Sequence, residues 1–324
     1  MVTFECLDQH GKCHECPATR RIRLSRSIDQ TDWLADNLSD PTIRVYDCTT
    51  HLIHIADPKA GVPYRVESGR ADYELAHIPG AAFIDLQNDL SDNTSPLRFT
   101  CPDTDTLMAA FAALGLTDDC TAILYSQTTP QWATRIWWML RHIGFDRARV
   151  LDGGLSKWKL EGRALETQPN VYPPGVINKV PRPDLMADKE EVLQAIDNPG
   201  TCTINALRKV QHTGQDNNEF GNYGRPGHIT GSINVPTGEL IDDTTTAFLP
   251  AEAISGIFAR TDVSEADRIL TYCGGGIAAS TTAMLLTMLG YRNVGLYDAS
   301  LSEWAPDTTL PMKTLPVDHA GDAS

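Results

Sequence analysis

The 324-residue sequence is short of several things, and each shortage excludes something. It has no unbroken run of about 18 apolar residues, which excludes a transmembrane helix. It is short of positive charge: 27 Lys and Arg stand against 42 Asp and Glu, for a net charge of -15. That balance excludes a nucleic-acid binder, which needs clustered cations, and a partner of anionic membrane surfaces. The first residues lack the apolar core of a signal peptide. The eight cysteines are scattered through a long chain, unlike a small disulfide scaffold. The expectation is a soluble, acidic protein in the reducing cytoplasm. What is present is an ordinary globular mix, 41% hydrophobic and 21% charged, long enough for two domains.

The chain is organised around Arg268–Leu289. Ile269-Leu270-Thr271-Tyr272 reads as a buried strand, and Cys273 follows at once. Three glycines come next, Gly274, Gly275 and Gly276. From Ile277 the pattern turns helical, with Thr281, Met284, Leu285 and Met288 at three- and four-residue spacing. A cysteine therefore sits in a tight loop between a strand end and a helix start. Glycines allow successive N–H groups to turn inward as an anion-binding nest, and the helix N-terminus adds positive potential. Each of these favours thiolate over thiol, so Cys273 is the candidate nucleophile. Its cradle is Gly274, Gly275, Gly276, Ile277 and Ala278. The remaining cysteines from Cys48 to Cys202 have no such loop.

Strand and helix patterns alternate along the chain, which points to parallel α/β sheets. Ser27–Ala35 reads as a capped helix start, and residues 51–76 as a long irregular excursion. Strand patterns at Arg44–Asp47, Ala82–Asp85, Ala122–Tyr125 and Arg149–Leu151 alternate with helical ones at Asp105–Leu114, Trp132–Ile143 and Leu155–Glu161. Residues 166–183 carry five prolines and no helical periodicity, as an interdomain linker does.

After that segment the programme repeats. His228-Ile229-Thr230-Gly231-Ser232 echoes His77-Ile78-Pro79-Gly80-Ala81, and Leu301-Ser302-Glu303-Trp304 echoes Leu155-Ser156-Lys157-Trp158. An internal duplication explains this. It predicts a domain at 27–165, a linker at 166–183, a second domain at 184–312, and flanking segments at 1–26 and 313–324. Alignment of the two copies sets Ser126 opposite Cys273, so only the second copy carries the nucleophile and the first closes the cleft. His77 and His228 occur in both copies, which points to a structural role, and Trp158 and Trp304 read as core anchors. Near the N-terminus, Cys13-His14-Glu15-Cys16 with Cys6 or His10 has the ligands of a zinc site but no second knuckle, and is expected to be a tail.

These paired motifs, in this order in both halves, resemble the rhodanese family of tandem-domain sulfurtransferases, which act on thiosulfate or 3-mercaptopyruvate. The resemblance runs from about Ser27 to Pro311. It implies two rhodanese-like α/β domains, each a parallel sheet flanked by helices, with no metal or organic cofactor. It implies a Cys273 persulfide that passes sulfur from a small-molecule donor to cyanide or a thiol. A persulfide carrier fed by a protein partner is the alternative. A cysteine phosphatase would need Arg where this chain has Ala279.

The chain departs from the family in two places. Thiosulfate-type loops carry cations just after the cysteine, and mercaptopyruvate-type loops carry Ser two residues after it. Gly274 and Gly275 occupy those positions, so the loop does not name the donor. The family's Asp-x-Arg at the end of the second domain's first strand is replaced by Asn205-Ala206-Leu207. Arg208 and Arg225 are then the candidates for meeting the donor's negative charge.

Overall fold

A computed structural model of the protein describes residues 27–54, 64–215 and 223–316. Cys6, His10, Cys13, His14 and Cys16 lie outside the described residues. In the first half the strands are β1 (Ile28–Asp29), β2 (Ile43–Asp47), β3 (Thr50–His54), β4 (Tyr64–Ser68), β5 (Ala82–Phe83), β6 (Thr121–Tyr125) and β7 (Ala148–Leu151). The helices there are α1 (Thr31–Asn37), α2 (Arg70–Leu75), α3 (Leu86–Asp89), α4 (Thr104–Ala113), α5 (Gln131–His142) and α6 (Gly154–Leu160). The second half has strands β8 (Met186–Ala187), β9 (Thr201–Asn205), β10 (His228–Ile229), β11 (Ile233–Asn234), β12 (Arg268–Tyr272), β13 (Val294–Tyr297) and β14 (Met312–Lys313). Its helices are α7 (Lys189–Ala195), α8 (Lys209–Thr213), α9 (Ala251–Phe258), α10 (Ile277–Met288) and α11 (Ser300–Trp304).

Each half builds a five-stranded sheet in which every pairing is parallel. The orders are β1-β7-β6-β2-β5 and β11-β9-β12-β13-β8, one the reverse listing of the other. The central strands β6 and β12 are almost wholly buried, as apolar runs covered on both faces by helices should be. The duplicated motifs hold equivalent places. The Ile78 amide donates to the Tyr125 hydroxyl at 3.2 Å, and the Ile229 amide to the Tyr272 hydroxyl at 3.0 Å. Trp158 and Trp304, both buried, donate their indole N–H groups to the carbonyls of Ala164 and Pro311. His77 is fully buried against the carbonyls of Tyr73 and Gln168, and His228 against that of His212. Both histidines are tied to backbone, as their presence in both copies implied.

Two expectations need correcting. Ser27–Asp29 does not start a helix: Ile28 and Asp29 add an edge strand to β7, and α1 begins at Thr31. The span 51–76 is not wholly irregular, because β3 and β4 pair antiparallel and α2 follows. Thr50, Leu52, Tyr64 and Val66 are good strand residues, but the stretch between the strands hid the hairpin. The Pro-rich segment 166–183, expected to be an interdomain linker, is tied to the first half by hydrogen bonds. Gly175 N donates to Ala112 O at 2.8 Å and Arg182 N to His142 O at 2.7 Å, which satisfies carbonyls at the C-terminal ends of α4 and α5. Tyr172 ties Val45 N and Gly80 O.

The two halves share one hydrophobic core, in which Ile136 and Met139 of α5 belong with Ala283 and Leu286 of α10. Across this α5–α10 contact, Thr134 Oγ1 lies 2.7 Å from Thr281 Oγ1 and 3.1 Å from Ser280 Oγ. Among the described residues no helix is long and apolar enough to cross a membrane.

Candidate active site

Cys273 emerges from the C-terminal end of β12, the central strand, where open parallel sheets bind their ligands. It is 3% exposed and lines a cavity of about 850 Å³. The same cavity is lined by Gly274, Gly275, Ile277 and Ala278. The first half contributes Thr50–Ile53 of the hairpin, Tyr64, Phe99 and Trp132, so the cleft lies between the halves.

The loop is held from below. The amides of Cys273 and Gly276 both donate to Ser300 Oγ, at 3.0 and 3.2 Å. The Ser300 hydroxyl in turn donates to Tyr297 O at 2.7 Å. The Gly274 carbonyl accepts from Ser302 N at 2.9 Å and from Ser302 Oγ at 2.6 Å. Two amides of the expected nest are therefore turned away from the cavity. Those of Gly274, Gly275, Ile277 and Ala278 have no acceptor among the described residues; they belong to the loop and the first turn of α10, a setting that favours negative charge.

The three glycines have different reasons. A methyl on Gly274 would overlap the Tyr223 hydroxyl. Gly276 has φ +75°, and a methyl there would lie 2.8 Å from Asp298 O. Gly275 has no atom nearer than 3.7 Å to an added Cβ. So Gly275 has room for a Cβ at ordinary contact distance. Gly276 does not line the cavity and packs downward instead.

Arg208 stands at the N-cap position of α8, is exposed, and lines the cavity, as do Lys209, Glu239 and Asp243. Arg225 does not come to the cavity. Its Nε, Nη1 and Nη2 donate to the carbonyls of Ala305, Leu310, Trp304 and Asp307 at 2.6–3.2 Å. A guanidinium committed to four carbonyls holds the chain after α11, and its expected contact with substrate is withdrawn.

Sequence reasoning missed Ser300, although the duplication held the clue. Its counterpart is Gly154, and the two share a left-handed backbone, φ +51° and +52°. Serine stands where glycine is easier because its hydroxyl does something glycine cannot. Tyr64 and Tyr223 were missed as well; they share a side-chain hydrogen bond, and burial pushes the Tyr64 phenol up, keeping it protonated. Ser300→Ala should keep the backbone strain and strand two buried amides. Each costs about 1–3 kcal/mol, so thermal stability should fall and sulfur transfer should drop about tenfold or more. Wild-type turnover in this variant would remove Ser300 from the loop's support.

A cysteine in a glycine loop at a cavity wall, on a duplicated parallel α/β sheet, fits the class of group-transfer enzymes. The rhodanese-like domain family matches residues 30–161 and 203–307. The chain is 31% identical to thiosulfate/3-mercaptopyruvate sulfurtransferase 2 of Arabidopsis thaliana, covering 90% of this chain and 87% of that protein. It is 32% identical to 3-mercaptopyruvate sulfurtransferase of Escherichia coli K12, covering 87% and 96%. The crystal structure of SseA from Escherichia coli superposes with a TM-score of 0.70 at 31% identity, covering 84% of this chain and 98% of that one. The chain belongs to the rhodanese family, and it is a sulfurtransferase.

Proposed function

We propose that the protein moves sulfur from thiosulfate or 3-mercaptopyruvate to cyanide or a thiol, the sulfur being carried as the sulfane sulfur of a persulfide on Cys273. Residues 27–165 close the cleft and residues 184–312 carry the chemistry. The observation that carries this is Cys273 at the wall of an interdomain cavity, beside four amides free to face a negative charge. The Cys273 thiolate attacks the outer sulfur of thiosulfate or the thiol sulfur of 3-mercaptopyruvate. The donor's bond to that sulfur breaks, and sulfite or the pyruvate enolate leaves with the electron pair; the enolate then takes a proton. Cyanide or a thiolate attacks the same outer sulfur, and the Cys273 thiolate returns. The loop amides stabilise charge on the outer sulfur in both steps. Arg208 and Lys209 at the wall meet the donor's second negative group. The five cysteines of the described residues are all free, which supports a reducing cytoplasmic setting.

The test is cyanide-dependent thiocyanate formation with each donor. Turnover with at least one, and parallel double-reciprocal lines as both substrates vary, is expected. A folded protein silent with both donors would sink this function in favour of a carrier loaded by a protein partner. The 3% exposure of Cys273 speaks against that alternative, because a partner's thiol must reach the sulfur.

A further inference from the structure

Arg135 belongs to α5, in the half without the nucleophile, yet its guanidinium ends beneath the Cys273 loop. Its side chain is fully buried, with Nη2 2.5 Å from Asp298 Oδ1. Nη2 also donates to Phe99 O at 2.8 Å. Nη1 lies 3.0 Å from where a Cβ on Gly276 would be, in the space that glycine leaves open. Nε and Nη1 have no acceptor among the described residues. Burial works most strongly against the charge, and the groups around it, Asp298 first, together outweigh that.

A buried ion pair left partly unsatisfied is a poor way to stabilise an interface. Apolar side chains of similar volume are often as stable or more so. The arrangement therefore calls for a reason other than stability. Asp298 supplies the link. Its Oδ2 accepts from Cys101 N at 2.8 Å, and it precedes by two residues Ser300, which holds the amides of Cys273 and Gly276.

We infer that Arg135, paired with Asp298, is a positioning residue for Cys273, through which the half without the cysteine sets the loop for sulfur transfer. The inference rests on the persulfide chemistry proposed above. One route runs from Arg135 to Asp298, along the chain to Ser300, and back through its hydroxyl to the loop. The other is direct, from Nη1 against Gly276. Arg135 does not line the cavity, so it acts on the loop and not on the donor. The inactive half thus does more than close the cleft.

The test compares wild type with Arg135→Met, Arg135→Lys and the double variant Arg135→Met with Asp298→Leu. Arg135→Met should lower kcat about 100-fold, the scale of a small misplacement, with KM within about threefold. Arg135→Lys should recover part of the loss, since it returns charge without the planar fork. The double variant should melt at or above wild type, yet stay about 100-fold down in kcat. It also decides the matter if Arg135→Met fails to fold. A double variant at wild-type kcat overturns the inference, because the pair is then a plain interface contact. Alkylation of Cys273 by iodoacetamide, which needs no sulfur donor, gives an independent readout. It should slow in both Met-bearing variants; an unchanged rate counts against positioning even if wild type turns over neither donor.

Discussion

Cys273→Ser is expected to abolish sulfur transfer while leaving the fold intact. A serine side chain fits the same space beside the same loop, so the melting temperature should stay close to wild type. The chemistry cannot survive the exchange. Removal of the nucleophile from a covalent enzyme costs on the order of 10³-fold or more. Among the described residues, Cys48, Cys101 and Cys202 are not ready to replace it. Burial pushes the Cys48 thiol well up, with the Asp47 carboxylate adding to the effect. Burial, then Asp298, pushes Cys101 up to about 12. Burial, then Asp262, pushes Cys202 up to about 11. These thiols stay protonated at neutral pH and are poor nucleophiles. Thiocyanate formation measures the loss. Intact-protein mass after exposure to donor should show one added sulfur in wild type and none in the variant. A variant that still gains sulfur and turns over would move the chemistry away from the glycine loop.

The parts of this site that were legible in the sequence are local ones. Cys273 with its three glycines, between a strand pattern and a helix pattern, is a feature of adjacent residues. The His-Ile and Leu-Ser-x-Trp repeats were legible because the chain carries its own comparison, and Ser126 opposite Cys273 showed which half carries the cysteine. What was hidden depends on contacts between residues far apart in the chain. Arg135 sits in an apolar helix pattern and gives no sign that it reaches Asp298 of the other half. Arg225 is the opposite case. As an arginine near a predicted loop it suits an anion, but four carbonyls around the end of α11 claim it. A one-dimensional pattern shows that a charge is present and not where a long flexible side chain ends. The hairpin wall at Thr50–Ile53 was hidden for a similar reason, because β3 finds its partner across a long connection.

Gly276→Ala should be far more damaging than the same methyl added at Gly275. Its φ of +75° costs an alanine about 1–2 kcal/mol. The added methyl would also lie 2.8 Å from the backbone oxygen of Asp298 and 3.0 Å from Arg135 Nη1. Neither neighbour retreats easily, since one is backbone and the other is fully buried in an ion pair. Overpacking of this kind adds about 1–3 kcal/mol. The strain falls on the residue whose amide shares Ser300 with that of Cys273, so turnover should fall about 100-fold as the loop shifts. Two controls separate the causes. Gly290, just past α10, has φ +99° with no atom within 4 Å of an added Cβ. Gly290→Ala should therefore cost only about 1–2 kcal/mol and leave turnover alone. Gly275→Ala adds a methyl at ordinary contact distances, nearest 3.7 Å from Ser302 Oγ, and should fold like wild type. Thermal melts and thiocyanate formation on all three variants settle the order. If Gly276→Ala matched Gly290→Ala in both, the close packing of Asp298 and Arg135 against the loop would have no catalytic consequence.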